Sequence, residues 1–268
     1  AWIEAAEPIG TALEGGYQAA VAGAKRRFEL FHRRAYDRAR LANYYRRDEL
    51  DRYFFDLLGN EQQWAVHFLG AGGSGKTMLL RHIGVELAEK AGTAVSRVDF
   101  DYLNPQYPER DPLLLLKALA EEFRLDESGD SIRAFTYFDD ECESVYRRVE
   151  KAAREGAPAR VSLAEPDVRF AVRAFAEGLA ALSRRAQPVL ILDTCEELAK
   201  IQPGGGVPPN VQHTLELLET LQRNYRDLSA GGRGLRVIFS GRRALPQLPW
   251  LRICEVGGFT EREAAEFL

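Results

Sequence analysis

The sequence predicts an α/β protein, a parallel β-sheet with helices on both faces, carrying an N-terminal helical segment and a helical insertion. Short apolar runs of strand type, such as Trp64–Leu69 and Val189–Leu192, alternate with longer stretches of helical periodicity. An order of strand, helix, strand, helix implies a parallel sheet with right-handed crossovers. The length of 268 residues, 46% of them apolar, suffices for one large domain with an appendage.

Taken in order, Lys25–Arg52 places Phe28, Phe31, Ala35, Ala39 and Ala42 at helical spacing with arginines between them. Ten basic residues against five acidic make this segment locally about +5 within a chain of net charge −4. A solvated or intramolecularly paired helix face is its plainer meaning. Residues 1–43 are read as the N-terminal helical segment and 44–268 as the main domain. Trp64–Leu69 ends in glycine and reads as a buried strand. Lys76–Lys90 follows as a helix, with Gly92 as its stop signal. Ala94–Phe100 is the next strand and Pro112–Phe123 the next helix. Residues 124–166 fit the rhythm poorly and are read as a helical insertion. Asp167–Arg185 is a helix, Val189–Leu192 a central strand, Val211–Leu228 a helix, Leu235–Phe239 a strand and Ile253–Val256 a short last one. The chain starts at Ala1 and stops just inside a helix-like run, so a piece of a longer protein is expected.

Composition narrows the function classes. The net charge of −4 argues against global attraction to nucleic acid or acidic membranes. Cys142, Cys195 and Cys254 are odd in number and lack a C-x-x-C spacing, which fits a reducing compartment. Leu113–Leu116 is the start of no membrane span, since Lys117 follows at once, and no signal peptide is recognisable. A cytoplasmic protein is expected.

The chemistry begins at Gly70-Ala71-Gly72-Gly73-Ser74-Gly75-Lys76-Thr77, which satisfies the phosphate-cradle pattern G-x-x-x-x-G-K-[ST]. Glycines let main-chain N–H groups close on phosphate oxygens. The following helix adds its positive end through Met78. Lys76 would supply the point charge on the β/γ-phosphates, and the Thr77 hydroxyl would ligate Mg²⁺.

A second acidic site follows the apolar strand at Asp193-Thr194-Cys195-Glu196-Glu197. Asp193 at a strand tip suits a Walker-B role at the Mg²⁺. Glu196 or Glu197 could orient the attacking water, with Glu196 preferred. After the strand ending at Phe239 comes Ser240-Gly241-Arg242-Arg243. Of the two arginines Arg242 lies nearer the strand tip, where a γ-phosphate could be sensed.

This order of parts resembles the STAND class of signalling P-loop ATPases, bacterial type, relatives of the AAA+ proteins. Tyr44-Tyr45-Arg46-Arg47-Asp48-Glu49-Leu50 looks like the class's apolar-apolar-Gly-Arg-Glu opening motif, with Arg46 where Gly is usual and Asp48 for Glu. LILDTCEEL is similar to Walker-B segments whose catalytic acid, here Glu196, lies three positions after the Asp. VIFSGRR is like the sensor strand, and GGFTEREAAEFL at 257–268 looks like the start of the helical lid. Lys76 and Asp193 stand 117 positions apart, longer than the class leads one to expect and in keeping with an insertion.

The resemblance implies an AAA+-like P-loop NTPase fold and puts Arg47 among the nucleotide-binding residues. It also implies a signal-transduction switch: ADP holding a closed monomer, ATP permitting self-oligomerisation, slow Mg²⁺-dependent hydrolysis resetting it. The main alternative is a nucleic-acid ATPase of loader or origin-recognition type, on the strength of the basic, aromatic-bearing Lys25–Arg52. A small-molecule kinase lacks any recognisable acceptor site. ATP is preferred over GTP from the resemblance, and no N-K-x-D guanine signature is present.

Overall fold

A computed structural model describes residues 21, 25, 28, 31–103, 107, 111–124, 133–157, 161–199, 209–229 and 231–267. Residues 31–41 form helix α1, and α2 spans Asp48–Gly59. Then come β1 (Ala65–Leu69), α3 (Lys76–His82), α4 (Ala88–Ala91), β2 (Thr93–Asp99), α5 (Leu113–Phe123), α6 (Thr136–Arg154) and α7 (Pro166–Leu182). They are followed by β3 (Gln187–Asp193), α8 (Pro209–Leu228), β4 (Arg236–Gly241), β5 (Leu251–Glu255) and α9 (Glu261–Phe267).

The five strands form one parallel sheet in the order β2-β3-β4-β1-β5. β1 and β3 are therefore separated by β4, and the tips of all three lie side by side. The strands most hydrophobic in sequence are the central ones. Val189, Leu190, Ile191 and Leu192 of β3 and Val237, Ile238 and Phe239 of β4 are fully buried. Alternate residues of each strand face two cores. Leu190, Leu192, Val237 and Phe239 join the larger one, with α5, α6, α7 and α8. Val189, Ile191 and Ile238 join the smaller, with α2 and α3.

The helix expected over Lys76–Lys90 is continuous but not uniform: Ile83–Leu87 widens into a π-helical stretch between α3 and α4. Gly92 ends it in the left-handed conformation at φ 63°, where a Cβ would be strained. β4 runs on through Ser240 and Gly241, two residues beyond the expected strand end, so both belong to the sheet itself. Residues 124–166 contribute α6, whose Phe138, Cys142 and Val145 are buried in the larger core. Phe123, Phe135, Phe138 and Phe175 pack ring on ring there, with centroids 5.1–5.8 Å apart. Phe135 lies so close to Gly178 that a Cβ on that glycine would come within 2.6 Å of the ring. The loop expected over Gln202–Asn210 lies outside the described residues except for its last two, and the Glu197 side chain is likewise outside them.

Helix α1 docks by its charged face. Asp37 and Leu41 are buried, whereas Phe28, Phe31, Ala35, Ala39 and Ala42 are exposed. Arg33 pairs with Glu122 of α5, and Arg34 donates to the Glu122 carbonyl at 3.1 Å. The intramolecularly paired reading of this basic segment is the one its inward face follows.

Candidate functional site

The residues 70–77 turn connects β1 to α3 over the adjoining strand tips. Gly70 is pinned: its N–H donates to the Gly241 carbonyl at 3.2 Å, and a Cβ would meet Val256 O at 2.3 Å. Only glycine fits so close an approach. Gly73 and Gly75 hold φ of 81° and 90°, which curls the loop back on itself. Gly75 is also the residue before α3, and no side chain caps that helix's first turn. The uncapped N–H groups and the dipole make this end locally positive.

Lys76 is 9% exposed, and its ammonium group is spent on the loop. Nζ donates to Gly70 O at 2.7 Å and Ala71 O at 2.8 Å, and lies 3.4 Å from Ser74 Oγ. Burial pulls its pKa below the ordinary lysine value, with the nearby charge of Glu196 opposing. Beneath it His67 of β1 is completely buried, and neither ring nitrogen has a hydrogen-bond partner. Burial, and then the charge of Lys76, push its pKa down to about 4, so the imidazole is neutral.

Acids gather at the ends of β2 and β3. Asp99 and Asp193 are register partners across the two strands. Burial and the charges of Asp99, Glu196 and Asp193 raise the pKa of Asp101. Asp193 is 4% exposed; its Oδ1 accepts from the Thr194 N–H at 3.0 Å and its Oδ2 from Arg97 Nη2 at 2.8 Å. Thr194 is the one non-glycine residue at positive φ among the described residues, at 57°. A β-branched residue there is a true backbone outlier. It reverses the chain into a 3-10 turn, Cys195–Ala199, that returns Glu196 to the cavity. Glu196 Oε1 accepts from the Arg242 N–H at 3.1 Å and lies 3.7 Å from Arg242 Nε, while Oε2 is buried without a partner.

These parts line one cavity of about 320 Å³: Gly72 through Met78 from the loop and α3, Asp193, Thr194 and Glu196 after β3, and Ser240, Gly241 and Arg242 at β4. Of the residues singled out in sequence, Gly72, Gly73, Ser74, Gly75, Lys76, Thr77, Met78, Asp193, Glu196 and Arg242 thus converge. Gly70 supports the loop from below. Arg47 stands apart from the lining: it donates to Gly257 O at 3.0 Å and pairs with Glu263 at 3.2 Å, tying α2 to the start of α9. Arg243 is exposed and is not in the lining either. The sequence reading missed Thr194, Ser240 and Arg97 as site residues. Arg97 had a signal, a lone charge inside a strand that demands a partner when buried.

Comparison with known proteins yields no family and no curated relative, since neither kind of sequence match is found. Among solved structures the chain is similar to one in the structure of Drosophila ORC bound to DNA. That match has 15% identity and a TM-score of 0.40, and covers 80% of this chain and 44% of that one. It is also similar to a chain of the E. coli MS115-1 HORMA:CdnC:Trip13 complex, at 12% identity and a TM-score of 0.45, over 87% of this chain and 69% of that one. The chain therefore spans under half the length of the ORC chain.

The donor set fits a nucleotide with a divalent cation. The uncapped helix start and the unpartnered Oε2 of Glu196 are polar groups awaiting partners, and the Lys76 ammonium group beside them is held only by loop oxygens. Among the described residues no three His, Cys, Asp or Glu side chains converge enough to hold a metal alone. Mg²⁺ suits such a place, because it is commonly held by one or two protein oxygens plus phosphates and water. No helix among the described residues is long and apolar enough to cross a membrane.

Proposed function

We propose that the chain is an ATP-binding switch of the STAND type, with slow Mg²⁺-dependent hydrolysis and nucleotide state governing activation and self-oligomerisation. The observation that carries this reading is the convergence of a glycine loop, Lys76, two acids from the β3 tip and Arg242 on one cavity at the carboxyl ends of parallel strands.

The main-chain N–H groups of residues 72–78 would bind phosphate oxygens, aided by the α3 dipole. Lys76 would exchange its loop carbonyls for β/γ-phosphate oxygens. Thr77 Oγ1 and Asp193 would hold Mg²⁺, which supplies charge neutralisation on the β- and γ-oxygens. Glu196, through the unpartnered Oε2, would orient a water and accept its proton. The exposed guanidinium group of Arg242 lies against Gly72, within reach of a terminal phosphate, and would report whether that phosphate is there. Arg47, tied to Gly257 and Glu263, would relay nucleotide state to the lid that starts there rather than touch phosphate.

The nucleic-acid ATPase remains the second reading, favoured by the exposed Phe28, Phe31 and Tyr36 beside arginines. Against it, Arg33 and Arg34 are engaged inside the domain. Phosphate release from ATP, measured with and without Mg²⁺ and duplex DNA, separates the two. The switch reading expects slow, Mg²⁺-dependent release unchanged by DNA. Steep, salt-sensitive stimulation by DNA would favour the second reading, and no release at all would count against hydrolysis.

A further inference from the structure

A single guanidinium group connects the acid at the β3 tip to the N-terminal helix. Arg97 sits on β2, beside β3, and its side chain is 12% exposed. Its Nη2 is 2.8 Å from Asp193 Oδ2, and its Nη1 is 3.2 Å from Asp37 Oδ2 on α1. The other oxygen of Asp37 accepts from Arg81 Nε of α3 at 2.6 Å. The backbone of Arg97 is read by α1 as well. Its carbonyl accepts from Arg33 Nη2 at 3.2 Å, and its N–H donates to Glu122, the partner of Arg33, at 3.4 Å. Asp37 and Asp193 are each about 90% or more buried, so their attraction for Arg97 is little screened by solvent.

We propose that Arg97 couples occupancy of the cation site at Asp193 to docking of helix α1, each favouring the other. The inference rests on the nucleotide reading of the cavity. One guanidinium group serves two carboxylates. A divalent cation at Asp193 neutralises that carboxylate and repels the guanidinium group, which leaves Asp37 as the partner Arg97 retains. The pair between Arg97 and Asp37 then strengthens, and α1 is held more firmly. The converse follows from linkage. Without the charge of Asp37, Arg97 binds Asp193 alone, and a cation must displace a tighter partner. Helix α1 would thereby sense whether the nucleotide carries its metal, 31–41 being the segment that leads into the domain.

The probes are ADP with Mg²⁺ and ADP with a chelator, on the whole chain. Amide hydrogen exchange in residues 31–41 of the unmodified protein should slow by roughly fivefold or more when Mg²⁺ joins ADP. Asp37→Asn should bind Mg·ADP more weakly by a similar factor, yet bind ADP in chelator as the unmodified protein does. Arg97→Gln should abolish the Mg²⁺ effect on exchange. If Mg·ADP binds the unmodified protein but leaves exchange in 31–41 unchanged, the coupling is wrong and the nucleotide reading stands. If ADP binds under neither condition, the nucleotide reading falls and the coupling with it.

Discussion

The main-chain N–H of Arg242 donates to Oε1 of Glu196 at 3.1 Å, joining the ends of β4 and β3 across 46 positions of sequence. The bond needs only the backbone of residue 242, while the guanidinium group sits 3.7 Å from the same oxygen and is largely exposed. The carboxylate is aimed by backbone, and the arginine side chain is left to contact something else.

Exchange of either side chain should therefore have different consequences. Glu196→Gln should keep nucleotide affinity and lower phosphate release by about 10²-fold or more. Arg242→Ala should leave Glu196 oriented but shrink the ratio of ADP to ATP dissociation constants. Unaltered release in the first variant, or an unaltered ratio in the second, removes the assigned role.

Thr194 holds φ 57° between the strand tip and the turn bearing Glu196. Glycine tolerates that conformation without strain, so Thr194→Gly should raise stability by about 1 kcal/mol. It should also slow hydrolysis, since Glu196 loses a rigid support. Denaturant melts and single-turnover assays on the same preparation test both; a destabilised variant with full turnover would contradict the strain argument.

His67 contributes a pH dependence of definite sign. Its folded pKa is about 4, against an ordinary value of 6.5. Below pH 6.5 the unfolded chain takes up a proton that the folded one refuses, so stability is full above 6.5 and falls as pH drops toward 4. The whole window amounts to about 3 kcal/mol. His67→Leu should flatten the difference between urea midpoints at pH 7 and pH 5; an equal difference in both proteins would exclude His67 as its source.

Much of this site was legible because its signals are local. The G-x-x-x-x-G-K-[ST] spacing encodes a loop and a helix start within eight residues, and Val189–Leu192 advertises a buried strand with Asp193 at its tip. What was not legible depends on strands meeting in space. Arg97 and Asp193 touch because β2 lies beside β3, an adjacency that periodicity does not carry. Thr194 looks ordinary in sequence, since a positive φ is imposed by the surrounding fold. Helix α1 is the clearest lesson. Its apolar stripe is visible at 3.6-residue spacing, but the face that docks holds Arg33, Arg34 and Asp37, because the surface it meets offers Arg81, Arg97 and Glu122. Periodicity reveals faces; the partner surface selects between them. Arg47 pairs locally with Glu49, but its contacts with Gly257 and Glu263 reach 210 or more positions along the chain, which no local pattern announces.

Calorimetric titration with ATP and Mg²⁺, on the unmodified protein and on Lys76→Ala, tests the central claim most directly. Lys76 is the charge around which the loop closes, with bonds of 2.7 and 2.8 Å to the carbonyls of Gly70 and Ala71. Saturable binding at one site per chain is expected, weakened at least about a hundredfold in Lys76→Ala, the equivalent of roughly 3 kcal/mol. Equal affinity in the two proteins, or no heat of binding in the unmodified one, would contradict a phosphate cradle at residues 70–77.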